Sequence, residues 1–414
     1  MSKTAAPKLR RVISTPMLAL YGAGNIVGAG VYVLIGKIAE PAGYLAPLAF
    51  LVAALVAFCA ALSYAELASR FPVSAGISVY LHEAFRRPRL STLIGILLVV
   101  AGTISTAALL KGFAGYFTSL VAVPLELVIV AGALVLLAIT LRGIKESVGV
   151  AAALTAIEVG GLLFLAGSIL LAQPQALGVF GGQFTASLGS IDTAALAGIV
   201  AASFIAFYAF LGFEDMVNVA EEVKEPAKAF PKAILGALGL VTVLYLAVTV
   251  AALGVLTPQR LGESSAPLAA AYEMATGGGA GIIIVIGLLA TLNGIIVNLV
   301  MGSRFLYGMA NKGWLPPWFA AVSSRHVPTR GLVLVAAVAC VAALWLPIDR
   351  LAQLTSLLLL FVFIAVNLSL IVIRRRDPRH ARQLRLSPAF VPWFGAVASV
   401  ALLAGQVIVT ITSL

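Results

Sequence analysis

Residues 22–30 read Gly-Ala-Gly-Asn-Ile-Val-Gly-Ala-Gly, and they lie inside an apolar run that extends from about residue 13 to residue 36. Four of these nine residues are glycine, which is among the poorest helix formers, and Asn25 adds a polar side chain to the run. The run is otherwise typical of a helix. The stretch therefore predicts a helix that is interrupted near its middle.

A second interruption is predicted in a later apolar run, at residues 196–219. Residues 207–215 of that run read Phe-Tyr-Ala-Phe-Leu-Gly-Phe-Glu-Asp. A glycine and two adjacent carboxylates in this position are again unfavourable for a continuous apolar helix. The sequence therefore predicts two broken helices.

The rest of the chain surrounds these two segments with further apolar runs. Hydrophobic residues make up 61% of the 414 residues and charged residues only 10%, whereas a soluble domain carries about 25% charged residues. A helix needs ~20 apolar residues to cross the hydrocarbon layer, and the runs lack the period of two that a β-barrel would show. We predict eleven membrane-spanning helices, at about residues 13–36, 43–69, 91–119, 123–141, 148–171, 196–219, 233–256, 278–307, 331–347, 351–373 and 389–412.

The two interruptions fall in the first and the sixth predicted span. This offset is expected when spans one to five and six to ten form an inverted repeat, because a unit with an odd number of crossings inverts its copy. The two halves cover about residues 13–171 and 196–373, and residues 389–412 form an accessory helix. Residues 1–414 are therefore predicted to form a single transmembrane domain.

The basic residues indicate an orientation in the membrane. With the N-terminus in the cytoplasm, all but four of the 27 Lys and Arg residues fall on the cytoplasmic side, the exceptions being Lys37, Lys111, Arg260 and Arg350. This bias predicts a multi-pass protein of the inner (plasma) membrane with a cytoplasmic N-terminus and an external C-terminus. It also explains the net charge of +11 by contact with anionic membrane lipid, so nucleic acid is not a predicted partner.

The ends of broken helices inside a membrane can bind a zwitterion. The N-terminus of a half-helix presents free N–H groups, and its C-terminus presents free carbonyl groups. In the first span, amides near Gly28 can hold a carboxylate, while carbonyls of residues 24–26 can hold an ammonium group. Carbonyls of residues 207–210 add to the ammonium site. Gly24 and Gly28 also form a G-x-x-x-G pair, so close helix packing is the alternative interpretation of the first motif.

Four stretches carry a resemblance to a known family. They are Gly24-Asn-Ile-Val-Gly-Ala-Gly-Val-Tyr32, then Tyr64-Ala-Glu-Leu67 with Phe71-Pro72 and Gly76, then Phe210-Leu-Gly-Phe-Glu214 with residues 221–231, and finally residues 303–316. Each stretch is a weak motif alone, but together they follow a consistent order. In these stretches the sequence resembles the amino acid–polyamine–organocation superfamily of secondary transporters.

The resemblance implies an all-α integral membrane protein with the LeuT-type fold, discontinuous helices one and six, and alternating access. It implies that the carbonyl of Ile26 binds the substrate amino group and that Tyr208 is an aromatic gate over the substrate. Amides of Gly28, Ala29 and Gly30 would bind the carboxylate. The predicted substrate-binding residues are Asn25, Ile26, Gly28, Ala29, Gly30, Phe207, Tyr208 and Phe210. Most members have twelve spans, so the missing twelfth leaves the oligomeric state open.

Glu158 and Glu214 are the predicted proton-coupling residues. Ionisable groups inside a membrane are costly and are functional candidates by default. Glu158 lies about eleven residues into the fifth span, where many proton-coupled members of the superfamily have a lysine. A structural Glu158 bonded to Thr155 or to a neighbouring span is one alternative, and a sodium site is another. Glu214 follows the second interruption and can cap the half-helix there, sense protons, or do both.

These features predict a secondary active transporter for an amino acid, coupled to protons, with sodium as the alternative coupling ion and no cofactor. The apolar surroundings of Tyr208 and Phe210 favour a neutral amino acid. The nearby carboxylates favour the alternative, a transporter or exchanger of cationic amino acids or polyamines. A solute sensor would share the binding site and lack turnover.

An enzyme is not predicted. The predicted loops are short and contain no H-E-x-x-H motif, nucleophile elbow or phosphate loop. Cys59 and Cys340 fall inside predicted spans, where small packing residues are expected, and the sequence shows no metal-ligand spacing. We therefore predict neither catalytic nor metal-binding residues.

Overall fold

The computed structural model describes residues 11–27, 30–72, 76–142, 148–323, 327–377 and 386–412. Within these ranges the secondary structure is helical apart from an isolated β-bridge between Ile13 and Val223. The helices are α1 (Thr15–Val27), α2 (Gly30–Ala42), α3 (Ala46–Arg70), α4 (Gly76–Phe85), α5 (Pro88–Thr118), α6 (Leu125–Leu141), α7 (Val148–Ala172), α8 (Ala176–Gly189), α9 (Thr193–Ala209), α10 (Pro226–Leu253), α11 (Pro258–Glu263), α12 (Pro267–Thr276), α13 (Gly281–Asn311), α14 (Thr329–Trp345), α15 (Ile348–Arg376) and α16 (Phe390–Thr412).

The helices coincide with the predicted apolar runs. In the part of the chain that the structure describes, eight helical segments are long and apolar enough to cross a membrane, and α6 and α14 are shorter apolar helices. Helices α4, α8, α11 and α12 occupy the connections between predicted spans. The prediction of an all-α membrane protein is therefore confirmed.

The two predicted interruptions differ in what the structure shows. In the first, α1 ends at Val27 and α2 begins at Gly30, and residues 28–29 lie outside the described residues. In the second, α9 ends at Ala209, and Gly212 has a φ of 117°, a left-handed value that L side chains rarely adopt. This second interruption is confirmed.

The segment after Gly212 corrects one expectation. It is a 3-10 helix, Phe213–Glu222, and not the α-helical inner half that the sequence predicted. Its C-terminal end becomes extended and pairs with the chain before α1. The amide of Ile13 donates to the carbonyl of Glu222 at 3.0 Å, and the amide of Lys224 donates to the carbonyl of Ile13 at 2.9 Å. These bonds join the chain just before α1 to the chain at the end of the 3-10 helix.

Packing brings the two interrupted segments together at the centre of the bundle. Helix α1 packs on α7 and α10, and α2 packs on α9. The long helix α5 packs on α13, α14 and α15. Helix α16 packs on α3, α9 and α15. The chain after α9 meets α1 directly, since Gly212 lies against the carbonyl group of Asn25.

Candidate functional site

A cavity of about 90 Å³ lies where α1, α5, α9, α13 and α15 converge. Its wall includes the end of α1, the first residue of α2 and the turn that follows α9. The polar residues in the wall are Asn25, Ser105, Tyr208, Glu214, Asp215, Asn293, Asn298 and Thr355. The cavity therefore lies at both predicted interruptions, where the sequence places the binding site.

The hydroxyl group of Tyr245 joins the two interrupted segments. Tyr245 lies in α10 and is fully buried. Its hydroxyl lies 2.9 Å from the carbonyl oxygen of Ile26 and 2.8 Å from that of Ala209. The carbonyl of Ala209 belongs to the last turn of α9, and the last carbonyls of a helix lack intrahelical partners. The carbonyl of Ile26, a predicted ligand of the substrate ammonium group, is thus bonded to Tyr245 in this structure.

Asn25 and Ile26 both line the cavity, as predicted. The sequence reasoning assigned the carbonyl of Asn25 to the ligand, but the structure leaves a different atom available. The side-chain Nδ2 of Asn25 is buried and has no hydrogen-bond partner among the described residues. An unpaired buried donor costs about 1–3 kcal/mol, so a ligand oxygen next to Asn25 would be stabilising.

Tyr208 is held across the cavity by hydrogen bonds to α5. Its hydroxyl lies 3.0 Å from Oγ of Ser105, and it also approaches the Ser105 carbonyl at 3.3 Å. Nδ2 of Asn298, from α13, donates to the same Oγ at 3.1 Å. One polar connection thus links α5, α9 and α13, and all three of its residues line the cavity.

Phe207 and Phe210 do not contribute their rings to the cavity. The ring of Phe207 packs against Phe363, with centroids 5.4 Å apart, and the ring of Phe210 packs against Phe50 and Tyr245. Both side chains are fully buried among α3, α10 and α15. The adjacent positions diverge because successive helical side chains point in different directions, and only Tyr208 points into the cavity.

The glycines of the first motif fit both interpretations that the sequence left open. Gly30 lines the cavity, but a Cβ atom there would also overlap the main chain of Ala209, so Gly30 is required for packing. A Cβ atom at Gly24 would overlap Oγ1 of Thr155 in α7. Gly28 and Ala29, the other predicted amide donors, lie outside the described residues.

Glu158 lies in α7 next to the cavity and is 1% exposed. Its Oε1 accepts a hydrogen bond from Nδ2 of Asn293 in α13 at 3.3 Å. Its Oε2 is buried and has no hydrogen-bond partner in the described part of the chain. The main-chain carbonyl of Glu158 accepts a bond from the Tyr32 hydroxyl at 2.8 Å, which fixes α7 against α2. The carboxyl group therefore contacts a residue of the cavity wall and keeps one oxygen unbonded.

Glu214 bonds to the second interruption itself. Its Oε2 accepts a hydrogen bond from the amide of Gly212 at 2.9 Å, as expected of a capping carboxylate. The side chain is 5% exposed, and both Glu214 and Asp215 line the cavity. The described residues of the cavity wall include no Lys, Arg or His. The electrostatic environment of the cavity is therefore anionic or neutral, and it favours a ligand that carries an amine.

A single family model matches almost the whole chain. The family is described as amino acid permease, and the match covers residues 13–412. The chain belongs to the amino acid permease family. The permease is therefore a membrane transporter and not an enzyme, and the superfamily that the sequence motifs indicated is confirmed.

Three relatives illustrate the range of proteins that this permease resembles. It is 34% identical to an uncharacterized transporter of Mycobacterium tuberculosis, over 81% of this chain and 74% of the relative. It is 28% identical to a branched-chain amino acid permease of Bacillus subtilis, over 89% of this chain and 82% of the relative. It is 29% identical to a vacuolar cationic amino acid transporter of Arabidopsis thaliana, over 90% of this chain and 64% of the relative. Two of these three relatives are named as amino acid transporters.

Several residues of the permease site were missed by the sequence reasoning. Asn293 and Asn298 interrupt an apolar run, which is a signal that could have identified them. Ser105 and Thr355 carry a weaker signal, because hydroxyl groups in helices often bond their own backbone. Tyr245 carries none, since a tyrosine in an apolar run is common and only the fold places it on two helix ends.

Proposed function

We propose that the permease is a secondary active transporter of a neutral amino acid. The observation that carries this proposal is the cavity at α1 and α9, whose wall contains both carboxylates and a buried amide donor that has no partner among the described residues. The substrate amine would lie near Glu214, Asp215 and the helix-end carbonyls. The substrate carboxylate would lie near Nδ2 of Asn25 and the start of α2 at Gly30.

The transport mechanism that we propose is alternating access on a LeuT-type scaffold of two inverted five-span repeats. The interruptions that the sequence predicts in the first and sixth spans support this arrangement, because they fall at equivalent positions of the two halves, and the α-helix of the sixth span ends at Ala209. Tyr208 would close one side of the cavity through Ser105 and Asn298. The positive-inside bias supports an inner-membrane location with the N-terminus in the cytoplasm and the C-terminus outside.

Proton coupling through Glu158, with Glu214 as a second proton-sensitive group, is part of the same proposal. Glu158 supports it because a buried carboxyl group with one unbonded oxygen can gain or lose a proton without breaking its bond to Asn293. A sodium-coupled mechanism is the alternative. It would use the same carboxylate as an oxygen ligand.

A cationic amino acid is the second candidate substrate. Glu214 and Asp215 line the cavity, and its wall has no basic side chain among the residues that the structure describes, so a second positive charge on the ligand would be tolerated. A cationic amino acid transporter is also among the relatives. The carboxylates of the cavity wall favour a cationic substrate, whereas the apolar side chains of Leu98, Val99 and Val297 favour a neutral one.

Uptake into proteoliposomes tests the proposal. Labelled leucine should accumulate when the vesicle interior is made alkaline, and unlabelled isoleucine or valine should compete while arginine and spermidine should not. Competition by arginine alone would replace the neutral substrate with the cationic one. Binding of leucine without uptake would instead identify a sensor. Accumulation driven by a sodium gradient, with no effect of pH, would overturn proton coupling.

A further inference from the structure

The C-terminal end of α15 carries three consecutive arginines that differ in their contacts. Arg374 is half-buried, and its guanidinium bonds to Glu66, to the carbonyls of Ser387 and Pro388 and to Oγ of Ser387. Arg375 and Arg376 are exposed. Only the first arginine is therefore used inside the bundle, and the next two present their charge at the surface.

Arg375 lies over an exposed tryptophan of the last helix. Its Cζ atom is 5.4 Å from the centre of the Trp393 ring, within the range of a cation–π contact. Trp393 is 45% exposed. The stacking orients the guanidinium and leaves its N–H groups without a hydrogen-bond partner in the described part of the chain, so they can bind an anion.

Arg376 contacts α4, and a second basic segment follows that helix. Its Nη1 donates to the carbonyl of Glu83 in α4 at 3.3 Å. The chain that follows α4 contains three more exposed arginines, and the exposed carboxylates in the described segments 76–90 and 370–377 are Glu83 and Asp377. These three arginines are Arg86, Arg87 and Arg89. Positive charge therefore exceeds negative charge at this surface.

An exposed apolar face of α16 continues from these arginines. Phe390, Trp393, Phe394 and Val397 are 65%, 45%, 44% and 62% exposed, and their spacing of three and four residues puts them on one face. Because α16 is among the helices apolar enough to cross a membrane, this face is suited to acyl chains. A tryptophan at the charged end of such a face is typical of the membrane–water interface.

We propose that Arg375, Arg376 and the adjoining face of α16 form a binding site for an anionic phospholipid. The phosphate accepts hydrogen bonds from the two guanidinium groups, and an acyl chain lies along Phe390, Phe394 and Val397. A basic surface beside a membrane helix attracts anionic headgroups in preference to zwitterionic ones. A second copy of the chain is a poorer occupant, because it would bring a like-charged surface to the same place. The proposal rests on insertion of the permease into a membrane and not on the identity of its substrate.

Thermal unfolding of the purified permease in detergent tests this site, with phosphatidylglycerol or phosphatidylcholine of identical acyl chains as the probe. Phosphatidylglycerol should raise Tm more than phosphatidylcholine, and high salt should reduce the difference. The R375Q/R376Q variant should need at least about fivefold more phosphatidylglycerol for half of the wild-type shift. The R375K/R376K variant should respond as the wild type does, since it keeps both charges.

A matched control exists elsewhere on the surface. Arg330 in α14 lies 5.3 Å over the Trp318 ring and repeats the arginine–tryptophan contact away from α16, so R330Q should keep the wild-type response. An R375Q/R376Q variant that responds to phosphatidylglycerol as the wild type does would overturn the proposal. So would a response to phosphatidylcholine of equal size. A change of oligomeric state in this variant, measured by light scattering and without a change in the lipid response, would assign the surface to a second copy.

Discussion

Gly212 lies directly against the carbonyl group of Asn25, so the chain after α9 crosses the end of α1 without an intervening side chain. A Cβ atom at Gly212 would overlap the Asn25 oxygen and would lie 2.6 Å from its carbonyl carbon. The backbone of Gly212 is also left-handed, with a φ of 117°. Two independent constraints therefore require glycine where the two interrupted segments meet.

Substitution of Gly212 by alanine should destabilise the permease. We expect a cost of at least about 2 kcal/mol, because the left-handed backbone becomes strained and the new methyl group displaces α1. Uptake should fall further than the amount of folded protein, since the displaced residues line the cavity. The matched control is Gly236→Ala in α10, where a Cβ atom meets nothing within 4 Å and a better helix former is introduced. Equal Tm values for the two variants would contradict this view of Gly212.

The Tyr245→Phe variant should remove the hydrogen bonds that join the two interrupted segments while the packing of the ring is kept. The phenylalanine ring keeps the packing on Phe50 and Phe210, but the bonds to the carbonyls of Ile26 and Ala209 are lost. Leaving buried carbonyls unpaired should cost about 1–3 kcal/mol. We also expect a changed Kd for substrate, measured by ligand-induced thermal stabilisation, because Ile26 lines the cavity.

Tyr80→Phe is the control for this experiment. The hydroxyl of Tyr80 is buried like that of Tyr245, but it has no hydrogen-bond partner among the described residues. Its removal should therefore leave stability unchanged or slightly improved. If Tyr245→Phe were as neutral as Tyr80→Phe, the two bonds of Tyr245 would have no role in joining the segments.

The sequence alone predicts the general plan of the permease because hydrophobic length is a one-dimensional signal. Apolar runs of membrane-spanning length locate the long helices, and the glycine at residue 212 locates the second interruption. The side of each helix that faces the cavity is a three-dimensional property. The sequence therefore does not show that the rings of Phe207 and Phe210 pack away from the cavity, and it gives no sign of the roles of Ser105 and Tyr245.

The conformation of the segment after Gly212 also could not be predicted from the sequence. The residues of Phe213–Glu222 permit an α-helix, and the amphipathic pattern gives no reason to expect a 3-10 helix. The outcome depends on partners that are distant in the chain, since Ile13 bonds to Glu222 and Lys224 and draws the end of the segment into an extended conformation. Such long-range bonds become visible only once the fold is known.

Glu66→Gln should be strongly destabilising, more so than Gly212→Ala or Tyr245→Phe. Glu66 is fully buried, and its carboxylate binds Arg70, Arg374 and the amide of Leu386, which connects α3 to α15 and to the chain before α16. Removing the charge leaves both guanidinium groups without their carboxylate. Loss of one partner of a buried ion pair typically costs about 3–5 kcal/mol.

The amount of folded Glu66→Gln protein in membranes, measured by size-exclusion chromatography of a fluorescent fusion, should therefore drop sharply. Glu225→Gln provides the control, because Glu225 pairs with Lys228 at 2.8 Å on an exposed surface and the loss of that pair should leave expression unchanged. Wild-type amounts of folded Glu66→Gln would show that the three connected segments are held by other contacts.

Glu158→Gln should uncouple transport from the proton gradient while leaving the permease folded. Glutamine has the shape of glutamic acid and can keep the bond from Asn293, but it cannot exchange a proton. Two titratable groups near Glu158 are the hydroxyls of Tyr32 and Tyr245, and each of them already donates to a main-chain carbonyl. Glu158 is therefore the group among them that is suited to carry the proton. Because Asn293 belongs to both the cavity wall and the Glu158 contact, protonation and substrate occupancy can bias the same helix.

In proteoliposomes without sodium, the Glu158→Gln variant should still exchange external for internal substrate at a rate near that of the wild type. It should lose accumulation driven by an imposed pH gradient. Glu40→Gln, which removes an exposed carboxylate paired with Lys37, should behave as the wild type in both assays. Accumulation by Glu158→Gln with the pH dependence of the wild type would assign proton coupling to another residue, and Glu214 in the cavity wall is the next to test.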